Sequence, residues 1–352
     1  MKYNIVTIYP RFVNKGGAQD MAISIAKGLC PDSTPVVMYD NPTINEVYQN
    51  SGVDFVKLTI SNVRRFHNSG AIFLCHHRKT TTILKIISHT LFFNKLRIIH
   101  VAHNTFDTLK NFTFLPKHVI AVSKTVKRNL VEYFKIPQQN VTVIYNGIED
   151  RFDSSKSRIH NNNDIRILFI GRVDPVKRQL LFVDKTQGKI NPRIKIYFAG
   201  IGSDYKALQQ KIQESDQYIA LGLIDIRREI YNYDYVCLFS EKEGLPLSLI
   251  EGCMFGKPLL TNDIPSSLEI NHNGYNGYVG KSWPEIIDMI NSLTNIDSNK
   301  YELLSKHGRE FFKHEFDYNV MIEKYRKYIE DLGYKIDSTA NTKTSTAFSN
   351  KQ

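Results

Sequence analysis

Short apolar runs recur along the chain at residues 5–8, 35–39, 54–58, 71–75, 96–102, 118–123 and 141–145, and again at 165–170, 194–199, 218–222, 235–239 and 258–261. Each reads as a strand, the run at 235–239 as a buried one, and most are separated by stretches with apolar residues at helical spacing. Met21, Ile23, Ile25, Ala26 and Leu29 form one such set, and Leu84, Ile86, Ile87 and Leu91 another. Strand alternating with helix predicts α/β architecture with parallel sheets. The alternation is broken at 153–164, a polar run without periodicity that reads as a linker. It predicts a first domain over 1–152 and a second over 165–314. A last helical segment follows over 315–335, with a disordered tail rich in Ser, Thr, Asn and Lys over 336–352. A chain of 352 residues is long enough for two cores.

One stretch of the second half concentrates the chemistry. The apolar run 235–239 leads into Ser240-Glu241-Lys242-Glu243-Gly244-Leu245-Pro246, and a helix is predicted from Pro246, whose fixed φ suits a first helical position. Leu247, Ile250 and Met254 mark its apolar stripe, and Gly256-Lys257-Pro258 ends it. Glu243 lies in the turn before this helix, where backbone N–H groups and the positive end of the helix dipole favour an anion. Glu251 falls about 10 Å further along at helical rise. Either carboxylate alone reads as ordinary helix-end or rim chemistry. Together they are spaced to take the two ends of a nucleotide-sugar. Gly171-Arg172, directly after the strand at 165–170, and Lys177 five residues on supply two cations able to close on a diphosphate. In the first half, Gly16-Gly17 sits between a strand and a helix, where backbone can approach phosphate. His103 follows the strand at 96–102, the edge at which open α/β sheets hold ligands.

Composition narrows the function. Hydrophobic residues make up 42% and charged residues 23%, ordinary for a globular protein, and no uninterrupted apolar run approaches membrane-spanning length. The N-terminal apolar run is too short for a signal peptide. Cys30, Cys75, Cys237 and Cys253 are far apart, without metal-ligand or redox spacing, and read as thiols in a reducing compartment. The expected location is therefore the cytoplasm. Residues 1–150 hold 18 Lys+Arg against 9 Asp+Glu, and the rest 28 against 26, so the excess positive charge lies in the first half. That asymmetry points to an anionic partner: membrane lipid, a lipid diphosphate or nucleic acid. No zinc-finger, helix-turn-helix or aromatic-plus-basic RNA pattern is present, which disfavours nucleic acid.

Taken together, Gly16-Gly17, Asn146-Gly147, Gly171-Arg172 with Lys177, Gly200-Ile201-Gly202, the pair Glu243 and Glu251, and Asn276-Gly277 resemble the retaining glycosyltransferases of family 4. Their architecture is GT-B, with two facing Rossmann-like domains. The resemblance is strongest over 165–280. It implies that Arg172 and Lys177 bind the donor diphosphate, that Glu251 accepts from the ribose hydroxyls and that Glu243 holds the donor sugar. Gly17, Gly171, Gly202, Gly244, Leu245 and Pro246 would line the donor, and His103 would lie near the sugar. The last helix would cross back to the first domain. Two positions depart from the pattern: Gln19, where many members are acidic, and Arg178, where many have glycine.

The implied activity is transfer of a hexose-type sugar, with UDP the family's commonest carrier, to a glycan acceptor. A lipid-linked acceptor of lipopolysaccharide or surface-polysaccharide synthesis fits the basic first half, with peripheral contact at the inner membrane face. The sequence has no Asp-x-Asp, so Arg172, Lys177 and the helix N-terminus are expected to stabilise the leaving group without metal or cofactor. Glu243 and Glu251 are too far apart to act as a glycosidase pair, which favours same-face attack by the acceptor. A nucleotide-sugar 2-epimerase of the same fold and a non-catalytic binder of anionic lipid or nucleic acid remain open as other functions.

Overall fold

The computed structural model describes residues 5–14, 16–41, 43–156, 160 and 164–334. The expected tail at 336–352, and half of the expected linker, lie outside the described residues. Two parallel sheets are present, of seven and six strands. The first holds β1 (Ile5–Ile8), β2 (Val36–Tyr39), β3 (Asp54–Lys57), β4 (Ile72–Cys75), β5 (Arg97–Ala102), β6 (His118–Ala121) and β7 (Val141–Val143), in the order β3-β2-β1-β4-β5-β6-β7. The second holds β8 (Ile165–Ile170), β9 (Ile194–Ala199), β10 (Tyr218–Gly222), β11 (Tyr235–Leu238), β12 (Leu259–Asn262) and β13 (Gly277–Gly280), in the order β10-β9-β8-β11-β12-β13.

The helices of the first half are α1 (Gly17–Leu29), α2 (Glu46–Gln49), α3 (Ile60–Asn68), α4 (Arg78–Leu91) and α5 (Lys124–Glu132). Those of the second are α6 (Gln179–Thr186), α7 (Tyr205–Ile212), α8 (Ile226–Glu229), α9 (Leu247–Met254), α10 (Pro265–Leu268), α11 (Trp283–Ser292), α12 (Ser298–Phe311) and α13 (Tyr318–Asp331). By proximity the described residues divide into a unit within 5–101, 113–118 and 322–334 and a unit within 102–112 and 119–321.

In the first unit, one core of Val6, Ile8, Met38, Phe73, Leu84, Phe92 and Ile98 is joined by a second of Phe12, Ile23, Val37 and Tyr48. Every residue of β1 and β4 is buried, which is why neither strand shows polar alternation. The core of the second unit contains a group of phenylalanine rings. Phe182 of α6 stacks on Phe239 at 5.1 Å and meets Phe169 edge-on at 5.8 Å.

Helix α9 differs from its predicted form. Pro246 is the extended N-cap rather than the first helical residue, and Leu247 opens the helix. Leu249, Ile250, Cys253 and Met254 are buried, a broader apolar surface than the expected stripe, and Leu247 itself is only half-buried. Gly252 lets this helix lie close on the sheet: a Cβ there would stand 2.6 Å from Leu259 Cδ2 and 3.1 Å from Val236 Cβ.

Asn276 has a structural task. It is fully buried; its Nδ2 donates to the Ile270 carbonyl at 2.8 Å, and its Oδ1 accepts from the His272 N–H at 2.7 Å. Removing the amide leaves the buried Ile270 carbonyl without this donor and frees the His272 N–H. Asn276→Ala is expected to destabilise the protein by about 2 kcal/mol, read as a lower midpoint in chemical unfolding. Nucleotide affinity of the folded protein should stay unchanged.

Candidate functional site

In a parallel sheet all strand C-termini lie along one edge, and ligands gather where the strand order reverses. In the second sheet that point falls at β8, which has β9 on one side and β11 on the other. The loop leaving β8 is Gly171 to Arg178, and the turn leaving β11 is Ser240 to Pro246. These are the two segments singled out in the sequence.

The loops are pressed together backbone to backbone. Gly200, after β9, has φ +140, and a Cβ on it would lie 2.0 Å from the Gly171 carbonyl oxygen. A Cβ on Gly202 would lie 2.2 Å from the carbonyl oxygen of Val173. Val173 N–H donates to the Ile201 carbonyl, and Asp204 N–H to that of Val173. Glu241 N–H donates to the Val176 carbonyl at 2.8 Å, joining the turn after β11 to the loop after β8.

This framework brings Lys177 and Glu243 together. Lys177 Nζ donates to Glu243 Oε1 at 2.6 Å, with the side chains 18% and 13% exposed. The lysine loop is shaped by Asp174, whose Oδ1 accepts from Lys177 N–H at 3.0 Å. Asp174 Oδ2 also takes Arg172 Nε at 2.6 Å, yet the Arg172 side chain stays 74% exposed. Arg178, the position that departs from the resemblance, sits at φ +61 as the left-handed N-cap of α6. Glycine would suit that geometry better.

Gly244 is held by groups more than a hundred residues from it in the chain. A Cβ there would be 1.9 Å from the His103 carbonyl oxygen, so only glycine fits. Its own carbonyl accepts from Ser123 Oγ at 2.7 Å, and the same hydroxyl caps α5 by accepting from Val126 N–H. His103 is half-buried, and desolvation pushes its imidazole down to about 4, so the ring is neutral near pH 7. Leu245 and Pro246 are buried beside the turn, and Glu251 is half-buried on α9.

Glu269, which the sequence did not mark, caps α5. Its carboxylate takes the N–H groups of Lys124 and Thr125, each at 2.7 Å, and the Thr125 hydroxyl at 2.6 Å. Tyr145 also hydrogen-bonds it, and burial with this nearby carboxylate raises the phenol pKa. The bond from Ser123 to Gly244, 121 residues away, had no local signal.

The first unit has its own reversal of strand order, between β1 and β4. There, Tyr9, Arg11, Asn14, Gln19, Asn41 and His77 line a pocket of about 390 Å³. Helix α1 begins at Gly17; the N–H of its N-cap, Gly16, donates to the Tyr48 hydroxyl, which in turn donates to Asp20. Of the cysteines, Cys75, Cys237 and Cys253 are buried with raised thiol pKa values, and Cys30 is half-buried; none is in a disulfide.

Comparison with known proteins gives the same picture. The family described as "Glycosyl transferases group 1" matches residues 150–311, and "Glycosyltransferase Family 4" matches residues 53–152. An uncharacterised glycosyltransferase, MJ1069 of Methanocaldococcus jannaschii, is 24% identical over 289 residues, covering 72% of this chain and 73% of that protein. The O-antigen biosynthesis glycosyltransferase WbnH of Escherichia coli is 24% identical over 161 residues, and the match spans 46% of each chain. The crystal structure of HepE from Anabaena, in complex with UDP, superposes with a TM-score of 0.81 at 16% identity, covering 93% of this chain and all of that one. The two matched regions, the two parallel sheets and the shared architecture place the chain among the group 1, family 4 glycosyltransferases of GT-B fold.

Proposed function

We propose that the protein transfers a hexose-type sugar from a UDP-linked donor to a glycan acceptor of surface-polysaccharide or lipopolysaccharide synthesis, with retention of anomeric configuration. The observation that carries this reading is the Lys177–Glu243 pair at the point where strand order reverses, with Arg172 solvent-exposed on the same loop. Lys177 has three N–H donors and Glu243 takes one, so the ammonium can still meet phosphate oxygens. Arg172 adds a planar fork for the same diphosphate, and α9 presents its positive dipole end. Together these groups answer the main electrostatic demand of the reaction, the negative charge growing on the departing nucleoside diphosphate, and do so without a metal. Glu243 holds a sugar hydroxyl and Glu251 the ribose. The acceptor hydroxyl attacks the anomeric carbon on the face the diphosphate leaves and passes its proton to the departing phosphate oxygen, and the neutral His103 imidazole serves as a hydrogen-bonding group. The UDP complex of HepE and the O-antigen role in the name of WbnH support the donor and acceptor classes.

Lys177→Ala is expected to lower kcat/KM for a UDP-sugar by about 10²–10³-fold, and Glu251→Ala to act mainly by raising the donor KM. Steady-state assays across a donor panel, run with EDTA, test both. Loss of all activity in EDTA would sink the metal-free reading. Product anomers followed by NMR should keep the donor's configuration. Isomerisation of donor without acceptor would identify an epimerase instead.

The His103 imidazole also makes stability depend on pH. Its folded pKa lies below that of the unfolded chain, so its contribution is full above about 6.5 and is lost as pH falls toward about 4. His103→Gln should therefore lose less thermal stability than the parent between neutral pH and pH about 4.5, measured by scanning fluorimetry.

A further inference from the structure

Helix α4 carries apolar side chains on opposite faces. Leu84 and Ser88 are buried, and Leu84 belongs to the core around Phe73 and Phe92. About half a turn away, at 100° per residue, Lys79, Ile83, Ile86 and Thr90 lie along one outward ridge, and all four are exposed. Ile83 is 56% exposed and Ile86 49%, on the side where a sheet-covering helix is normally polar. Beyond the C-terminus, Phe93 stands 80% exposed at φ +49, a conformation that aromatic residues rarely adopt. At the other end Phe114, 53% exposed, is tied alongside: its N–H donates to Thr82 Oγ1 at 3.1 Å, and Arg78 Nη1 donates to Thr113 Oγ1 at 3.3 Å. The surrounding sequence has one sign of charge. Residues 55–101 contain eight Lys+Arg and no Asp or Glu, and Lys79 and Lys95 are exposed at the two ends of the ridge.

We infer that this ridge docks on a bilayer surface rich in anionic lipid. Ile83, Ile86, Phe93 and Phe114 enter the boundary of the acyl chains, while Lys79, Lys85 and Lys95 meet the headgroups. An interfacial helix needs an apolar crest flanked by cations, and α4 supplies both without giving up its packing on the sheet. A nucleic acid would use the cations but would set two isoleucines against phosphate. The inference does not depend on sugar transfer, because vesicle binding is read without donor or acceptor.

The test is co-sedimentation of the full chain with phosphatidylglycerol–phosphatidylcholine vesicles, compared with phosphatidylcholine alone, at low and high salt. Binding should require the anionic lipid and weaken as salt rises. Ile83→Ser/Ile86→Ser/Phe93→Ser should reduce vesicle affinity by roughly tenfold or more at unchanged melting temperature and UDP affinity. Lys79→Gln/Lys95→Gln should lower affinity at low salt and flatten the salt dependence. Phe114→Ser gives an independent reading should the triple variant fail to fold. The inference is overturned by no binding to anionic vesicles at low salt, or by a folded triple variant that binds as the parent does. It is overturned equally if the triple substitution abolishes self-association or single-stranded DNA binding and leaves vesicle binding intact.

Discussion

Carbonyl oxygens pressed against glycines determine the candidate site. The Gly171 carbonyl occupies the space a Cβ on Gly200 would need, the Val173 carbonyl that of Gly202, and the His103 carbonyl that of Gly244. Each contact removes the option of a side chain and brings two loops to backbone distance. The sheet fixes where the loops start, since β8, β9 and β11 run parallel with their C-terminal ends at one edge. The glycines then fix how closely the loops converge, and convergence is what allows a lysine from one loop to reach a glutamate from another.

The Lys177–Glu243 pair gains from that placement. With each side chain less than a fifth exposed, the two charges interact in a medium less polar than water, and their attraction is screened less than that of a surface pair. Neither could be held so far from solvent without its partner. The pair therefore keeps one cation and one anion in place at the strand-order reversal before any substrate arrives. Arg172 is arranged differently: Asp174 holds its Nε while most of the side chain remains in water. The loop thus offers one cation held away from solvent and one that lies largely in water.

Much of this was legible in the sequence because the signals are local. Strands buried on both faces announce themselves as unbroken apolar runs, and β1, β4 and β11 fell where those runs lie. Gly171-Arg172 and Glu243-Gly244 pick out, without any knowledge of topology, two loops that meet at the strand-order reversal. What could not be read was long-range. Nothing in the neighbourhood of Ser123 says that its hydroxyl will serve Gly244, and nothing near Glu269 says that it will cap α5. Pro246 was misplaced by one residue because a proline suits both an N-cap and a first helical position, and only the backbone angles decide between them. Which apolar side chains of α4 face outward could not be read for a related reason. Ile83 and Ile86 look like core residues until the packed face is known.

The cap on α5 shows why those long-range bonds matter to chemistry. Four N–H groups at a helix start lack intrahelical partners, and here Glu269 takes those of Lys124 and Thr125 while Ser123 takes that of Val126. A hydroxyl that accepts from a helix N–H still has its proton to give, and Ser123 gives it to the Gly244 carbonyl. The turn bearing Glu243 is therefore tied to a helix end that a carboxylate has already made rigid. A loop residue on a free turn would have to be ordered each time substrate bound, at a cost in conformational entropy. Anchored on α5, and packed on the His103 carbonyl, the Glu243 turn is ordered by folding itself. That lets a chemically ordinary glutamate serve as a fixed point of the site.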